Sequence, residues 1–295
     1  MALPALYGGP KETWDFVVPS LISVSGYFQK AKAIKVMNDK LTTDKYWDST
    51  YSSRGKLEPV SLHGYKNRCT RAIFSKKRPI VEGSDSILEI GGGGSAWLAY
   101  LATAFPNKRF ASLDFSEKGN RLLRDYAEDN NLQNIDVEEG DFFTADLGEK
   151  RFDFIYSHGV VEHFQNLPEV LLSHSRFVAE RGKMLTIIPN MAGILGVLTR
   201  KMDKQIYDIH VPHDLRSFEK GHQDAGLNIV ESGYLCSSNF GVLSSCITTR
   251  SGFRYSFYKQ LTRVSKLIWL YEDKFFELPK SKLFSPYLYV LSEKA

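Results

Sequence analysis

The apolar positions between residues 87 and 235 follow two alternating periods. Short continuous apolar runs are separated by stretches in which apolar residues recur at every third or fourth position. The runs are typical of buried strands, and the stretches between them are typical of amphipathic helices. The runs predict strands at Ile87–Ile90, Phe110–Leu113, Ile135–Glu138, Phe152–Ser157, Met184–Ile188 and Asn228–Leu235.

Helical patterns fill the intervals between several of these strands. They predict helices over Ala96–Phe105, over Glu117–Asn130, through Val170 to Val178, and over Leu215–Ala225. Strands that alternate with helices of this length predict a doubly wound α/β sheet that is mostly parallel. Ligands of such sheets bind beyond the carboxyl ends of the strands, where the direction of winding reverses.

The C-terminal part departs from this alternation. Residues 285–291 predict a terminal strand, and because no crossover helix precedes it directly, we expect that strand to run antiparallel. An amphipathic helix comes before it, and its apolar stripe suggests a dimer interface or a membrane contact. The stripe consists of Phe257, Leu261, Val264, Ile268 and Tyr271.

Three segments therefore divide the chain. Residues 1–60 are a helical, aromatic-rich extension, residues 61–241 are the core, and residues 242–295 complete the core with a helix and the final strand. The extension, with a predicted helix over Leu21–Met37, either closes over the ligand crevice as a lid or packs on the flank of the sheet.

Aromatic rings of the extension are candidates for contact with a cationic ligand. Tyr27, Tyr46 and Trp47 are suited to this role. Plain packing is the commoner role of such residues, and the sequence leaves both roles open.

Composition excludes several classes of protein. Among 295 residues, 43% are apolar, which suffices for a substantial core, and the net charge of +4 is too small for a dedicated nucleic-acid binder. Three cysteines without a C-x-x-C pair predict neither disulfides nor a cysteine zinc site. With no secretion leader or apolar span evident, we expect a soluble, cytoplasmic protein.

A basic helix is predicted over residues 61–82. Its charges, which include Lys76, Lys77 and Arg78, are interpreted as a solvated face. An anionic partner such as RNA is the alternative.

A glycine loop follows the first strand, in Ile90-Gly91-Gly92-Gly93-Gly94-Ser95. Glycines let a ligand approach the backbone, and the helix that follows offers unpaired N–H groups. The loop alone is compatible with a nicotinamide dinucleotide. Glu89 favours another ligand, because its carboxylate at the strand end would repel a pyrophosphate and attract an ammonium or sulfonium group.

Acidic residues end the next two strands as well. The carboxylate of Asp114 can accept hydrogen bonds from ribose hydroxyls. Asp141 can accept a hydrogen bond from an adenine amino group, and the ring of Phe142 can pack on the base. The predicted ligand is therefore adenosine with a cationic tail.

These motifs resemble the class I S-adenosylmethionine-dependent methyltransferases. The resemblance covers Tyr46 to Leu235 and the last strand, and rests on the motifs at residues 88–94, 113–116, 140–142 and 152–164. It implies a Rossmann-like seven-stranded sheet with the last strand antiparallel, S-adenosylmethionine as cofactor and a small-molecule acceptor. Ser95 stands where the family usually has a third glycine, and serine is a good helix N-cap.

The resemblance also implies which residues bind the cofactor. Glu89, Gly91 and Gly93 would line the methionine end, Asp114 would bind the ribose, and Asp141 with Phe142 would bind the adenine. Ser157 would face the cofactor and the acceptor, and Phe115 is a further cofactor-binding candidate.

Histidines are the candidate catalytic residues. His158 at the end of the fourth strand is the first candidate, followed by His163 and His210. A general base is needed only for a protonated acceptor, and the acceptor atom, whether O, N or S, stays open. His210 and His213 have no evident third ligand, so no metal site is predicted.

Two rival functions remain compatible with the sequence. One is an NAD(P)-dependent oxidoreductase that uses the same glycine loop. The other is a non-catalytic cofactor-binding or assembly module, for which the apolar stripe of the tail would form a homodimer interface.

Overall fold

A computed structural model describes residues 40–52 and 55–294 of the chain. Within these ranges the chain forms one seven-stranded sheet with helices on both faces. The strands are β1 (Ser86–Ile90), β2 (Arg109–Asp114), β3 (Ile135–Glu139), β4 (Phe152–His158), β5 (Val178–Pro189), β6 (Leu227–Leu235) and β7 (Tyr287–Lys294).

Helices connect and cover these strands. In chain order they are α1 (Asp44–Ser52), α2 (Arg68–Glu82), α3 (Ala96–Ala104), α4 (Glu117–Asp129), α5 (Leu167–Ser175), α6 (Ile194–Met202), α7 (Lys204–Asp208), α8 (Leu215–Asp224) and α9 (Gly252–Lys274). The helix predicted over Leu21–Met37 lies outside the described residues.

The strand order is β3-β2-β1-β4-β5-β7-β6, and β7 pairs antiparallel with both β5 and β6. The predicted fold class, with its antiparallel last strand, is confirmed. The chain leaves β1 for β2 on one side and later returns to β4 on the other. The crevice for a ligand therefore opens beyond the carboxyl ends of β1 and β4.

Strand β1 runs through the centre of the core. All five of its residues are buried, Glu89 included. Apolar side chains of α2, α3 and α4 pack on one face of the sheet, and those of α5 and α8 pack on the other. A central strand that is covered on both faces has a nearly continuous apolar sequence, and for this reason the strand could be predicted from the sequence.

Serine caps fix the starts of the two helices beside the crevice. Ser95 Oγ accepts a hydrogen bond from Leu98 N at 3.0 Å, and Ser116 Oγ accepts one from Gly119 N at 3.2 Å. The capping role predicted for Ser95 is confirmed. Helix α3 therefore begins directly after the glycine loop, with its N-terminus at the crevice.

The predicted boundary between α5 and β5 is wrong. Helix α5 ends at Ser175, and Val178 is the first residue of β5, where it pairs with Phe152. Phe152 N donates to Phe177 O at 2.9 Å, so pairing with β4 starts the strand where the sequence pattern still permits a helix.

The amphipathic helix of the tail is α9, and part of its apolar surface faces solvent. Phe253 is 87% exposed and Leu267 is 66% exposed. No helix in the described part of the chain is long and apolar enough to cross a membrane.

Candidate active site

A cavity of about 490 Å³ lies at the carboxyl ends of β1, β2 and β4. Its walls come from the glycine loop, from residues 40–51 and from the turn that follows β4. This volume falls within the range of small-molecule sites. The cavity is therefore where the topology of the sheet places a ligand.

Packing beneath the glycine loop explains two of its glycines. Gly91 has φ +75°, and a Cβ there would lie 2.5 Å from Val160 Cγ2. A Cβ on Gly93 would lie 2.8 Å from Asp114 Cγ. Both residues line the cavity, so the close packing also holds bare backbone against the ligand space.

Asp114 fixes the glycine loop from below. Its Oδ2 accepts a hydrogen bond from Gly93 N at 2.9 Å, and its Oδ1 accepts one from Ser116 N at 2.8 Å. Burial raises the pKa of the Asp114 carboxyl, and these two N–H groups act against that rise. Each oxygen retains acceptor capacity, and the residue lines the cavity.

Glu89 presents a buried carboxylate at the start of the loop. Its Oε2 accepts hydrogen bonds from Tyr156 Oη at 2.7 Å and from Ser95 Oγ at 2.5 Å. Burial raises the pKa of Glu89, while the positive charge of Lys77 and the two hydroxyl donors lower it. Glu89 also lines the cavity, so a cationic ligand group there would meet a carboxylate.

Lys77 corrects the interpretation of the basic helix as a solvated face. Its side chain is fully buried, with Nζ 3.4 Å from the centre of the Tyr156 ring and 4.7 Å from that of Trp97. Burial lowers the pKa of Lys77 to about 7, and the charge of Glu89 partly offsets this. The apolar positions Ile73 and Val81, four residues before and after Lys77, are buried on the same face, and that spacing was the missed signal.

The predicted adenine side is only partly assembled at the cavity. Phe115 and Phe142 line it, whereas Asp141 and Ser157 do not. Asp141 Oδ1 accepts a hydrogen bond from Phe143 N at 2.9 Å, and Ser157 is buried within β4. The cofactor-binding roles of these residues stay predictions.

The three candidate catalytic histidines all reach the cavity. His158 contacts the ring of Tyr287 at 5.5 Å between centroids, and the His163 and His210 rings lie 4.6 Å apart. Burial lowers the pKa of His158 and of His163 to about 3, and it also lowers the pKa of His210. The imidazoles are therefore neutral at pH 7, where they can accept hydrogen bonds but act only as weak bases.

Glu162 joins these histidines at the cavity. It is 1% exposed and lines the cavity. Burial raises the pKa of Glu162 to about 8. Its place directly before His163, on the turn after β4, is the signal that could have identified it.

Helix α1 and residues 40–43 form another wall. Tyr46, Trp47 and Tyr51 line the cavity, and the Trp47 ring meets His163 edge to face with 5.4 Å between centroids. Ser116 Oγ donates to Asp48 Oδ1 at 2.8 Å, which ties α1 to the start of α4. Tyr27 lies outside the described residues.

A family model described as a methyltransferase domain matches residues 87–182, from the first residues of the predicted β1 into β5. The chain contains a methyltransferase domain. This match and the fold confirm the predicted class of methyltransferase. A search of the curated proteins finds no significant sequence match.

Solved structures share the fold of this chain. One is a candidate sarcosine dimethylglycine methyltransferase from Galdieria sulphuraria, at 16% identity and a TM-score of 0.55 over 85% of this chain and 98% of that chain. A coclaurine N-methyltransferase bound to N-methylheliamine and SAH has 13% identity and a TM-score of 0.53 over 92% of this chain and 89% of that chain.

A third is geranyl diphosphate C-methyltransferase from Streptomyces coelicolor A3(2), in complex with Mg2+, geranyl diphosphate and S-adenosyl-L-homocysteine. It has 12% identity and a TM-score of 0.52 over 85% of this chain and 96% of that chain. At such identities these likenesses show the fold alone.

The residues of the cavity fit S-adenosylmethionine. Glu89 offers an anion for a cationic group, Asp114 offers acceptors for a ribose, and the Phe115 and Phe142 rings offer apolar surface for a base. The donor and acceptor chemistry of the walls therefore matches adenosine with a cationic tail.

Proposed function

We propose that this methyltransferase transfers the methyl group of S-adenosylmethionine to an O, N or S atom of a small molecule held in the same cavity. One observation carries the proposal. The glycine loop with Glu89 and Asp114 lines one part of the cavity, and His158, His163 and His210 line another. Cofactor and acceptor would therefore share one cavity.

The residues of the chain would hold the two reactants in line. When bound, the cofactor supplies a methyl carbon already activated by a sulfonium, so the acceptor lone pair forms the new bond while the C–S electron pair remains on sulfur. Holding three atoms collinear contributes up to several kcal/mol to such a displacement. Glu89 and Asp114 would fix the cofactor, and the aromatic rings of α1 would confine the acceptor.

The neutral histidines suit hydrogen bonding better than strong base catalysis. With a pKa of about 3, His158 would accept a hydrogen bond from an acceptor hydroxyl or amine and orient its lone pair. A small-molecule acceptor is also supported by the two structural neighbours solved with N-methylheliamine and with geranyl diphosphate. Those two neighbours methylate different atoms, so they do not indicate which atom is methylated here.

Calorimetry with the purified chain tests the cofactor. We expect binding of S-adenosylhomocysteine and no binding of NAD or NADP, since Glu89 would oppose a pyrophosphate beside the loop. Tight NAD(P) binding without S-adenosylhomocysteine binding would instead support the oxidoreductase alternative.

A metabolite extract tests the transfer itself. The chain is incubated with methyl-labelled S-adenosylmethionine and an extract, and the labelled product is identified by mass spectrometry. Label should enter a small molecule and should be lost with His158→Ala if that residue contacts the acceptor. Cofactor binding without labelling of any extract component would favour the non-catalytic module.

The self-association predicted from the tail concerns the apolar stripe of α9. Val264 and Tyr271 of that stripe are exposed, and Phe253 and Leu267 add to the exposed apolar surface of the helix. Phe253 and Leu267 are its most exposed large apolar side chains in the described part of the helix. Sizing chromatography of the wild type and of Leu267→Glu tests a homodimer, which the charged side chain should dissociate.

A further inference from the structure

Three side chains on the wall of the cavity converge without an assigned role as a group. Glu162 and His163 lie on the turn after β4, and His210 lies in the loop after α7. One ligand atom from each lies within 4.8 Å of the other two. A backbone hydrogen bond joins these two segments, because Val211 N donates to Glu162 O at 2.7 Å. Another, from Leu41 N to His163 O at 2.8 Å, ties the turn to the residues just before α1.

Hydrogen bonds fix the tautomer of both imidazoles. His163 Nδ1 lies 2.6 Å from Ile209 O, and His210 Nδ1 lies 2.6 Å from Ile206 O. A carbonyl oxygen only accepts, so each ring carries its proton on Nδ1 and keeps a lone pair on Nε2. Backbone carbonyls hold metal-ligating histidines in this way, and the bond also sets the ring orientation.

Glu162 supplies a second, independent observation. Its side chain is almost fully buried, and its Oε2 atom has no hydrogen-bond partner among residues 40–52 and 55–294. Its Oε1 lies 4.0 Å from His163 Nε2. A buried carboxyl oxygen without a hydrogen-bond partner is unfavourable, and a cation shared with the two imidazoles would satisfy it by displacing the carboxyl proton.

We propose that Glu162, His163 and His210 bind one divalent transition-metal ion, for which Zn2+ is the best match. Two neutral imidazoles and one carboxylate form a known three-ligand set for zinc, whereas Mg2+ and Ca2+ favour oxygen ligands. Three protein ligands leave a coordination position open. Because all three residues line the cavity, that position is accessible to an acceptor.

The geometry must tighten when the ion binds. Zinc bonds of about 2.1 Å in a tetrahedron separate ligand atoms by about 3.4 Å, so the cluster would close by up to about 1.4 Å. Lys40 also lines the cavity, with its Nζ 3.9 Å from the centre of the Phe115 ring, and its charge opposes a cation there. Affinity therefore depends on all three ligands acting together.

The ion would complement the weak bases of the site. This step rests on the proposed function. An acceptor hydroxyl on a zinc ion releases its proton to water more readily, which leaves an oxygen lone pair to form the bond to the methyl carbon while the C–S pair stays on sulfur.

Metal binding by the tag-free, chelator-treated full chain tests the site without any methyl transfer. Equilibrium dialysis with Zn2+, and the visible spectrum after Co2+ addition, should show one ion per chain. His163→Ala, His210→Ala and Glu162→Gln should each weaken binding by at least tenfold. His213→Ala is the matched control, because that residue lies near His210 in sequence but outside the cluster, and it should bind as the wild type does.

Binding of S-adenosylhomocysteine is measured on the same proteins and separates the two proposals. It also shows that each variant is folded. A wild type that binds the cofactor product but no stoichiometric ion overturns the metal site and leaves the proposed function intact. Ion binding that the cluster variants leave unchanged, or that His213→Ala abolishes equally, overturns it as well.

Discussion

Replacement of Asp114 by asparagine tests the centre of the cofactor site. The carboxylate accepts hydrogen bonds from Gly93 N at 2.9 Å and from Ser116 N at 2.8 Å. In Asp114→Asn one of these oxygens becomes an amide nitrogen, so a donor faces a donor. Leaving one buried N–H unpaired costs roughly 1–3 kcal/mol of stability. Urea unfolding measures this loss.

The same substitution should weaken cofactor binding. If Asp114 accepts both ribose hydroxyls, the amide can keep only one of those bonds, and a hydrogen bond to a charged group contributes roughly 1.5–3 kcal/mol. Affinity for S-adenosylhomocysteine should therefore fall roughly 10- to 150-fold, since about 1.4 kcal/mol corresponds to a factor of ten. Titration calorimetry at constant pH gives the ratio.

A ligand without the 2′-hydroxyl separates the ribose contact from the damage to the loop. The wild type should prefer S-adenosylhomocysteine over its 2′-deoxy form, and Asp114→Asn should show less of this preference. Asp136→Asn on the exposed part of neighbouring β3 is the control, and it should bind both ligands as the wild type does. An equal preference in wild type and Asp114→Asn would refute the placement of the ribose.

Two further predictions concern the loop and the buried lysine. Gly93→Ala places a Cβ 2.8 Å from Asp114 Cγ, so S-adenosylhomocysteine affinity measured by calorimetry should fall at least tenfold; Gly55→Ala, with open space around it, should change nothing. Lys77 has a pKa of about 7 in the folded chain and near 10.4 when unfolded, so the unfolded state binds more protons between these values and stability rises with pH there. Between pH 7 and pH 9 the unfolding free energy of the wild type should rise by about 2 kcal/mol more than that of Lys77→Met. Urea unfolding at several pH values measures both, and the same pH dependence in the two proteins would contradict this.

Local patterns made the strands and most helices predictable from the sequence. The helix predicted over Glu117–Asn130 spans Glu117–Asp129, and the strand predicted over Phe110–Leu113 spans Arg109–Asp114. A capping serine or a fully buried parallel strand can be recognised from a few consecutive residues of the sequence. Long-range pairing leaves none, so the start of β5 at Val178, set by Phe152 of β4, was missed.

The site was predictable where it follows a strand end and was missed where it depends on packing. Glu89, Gly91, Gly93 and Asp114 line the cavity, as expected of residues at the carboxyl ends of β1 and β2. Lys77 was interpreted from its charge rather than from its position among buried neighbours.

The convergence of Glu162 and His210 was also beyond the sequence. No local spacing relates these two residues, because the hydrogen bond from Val211 N to Glu162 O brings the loop after α7 to the turn after β4. Local sequence pattern therefore predicted the residues of the proposed cofactor side of the cavity better than those of the proposed acceptor side.

The surroundings of Glu89 bear on which cofactor the cavity accepts. Its counter-charge, Lys77, does not line the cavity and lies against the Tyr156 ring, whereas Glu89 itself does line it. The lysine thus favours the ionised carboxylate from within the protein without presenting a positive charge to the ligand. A pyrophosphate beside the loop would meet this anion, but a sulfonium or ammonium group would be attracted to it. The same buried charge that opposes a dinucleotide therefore favours S-adenosylmethionine.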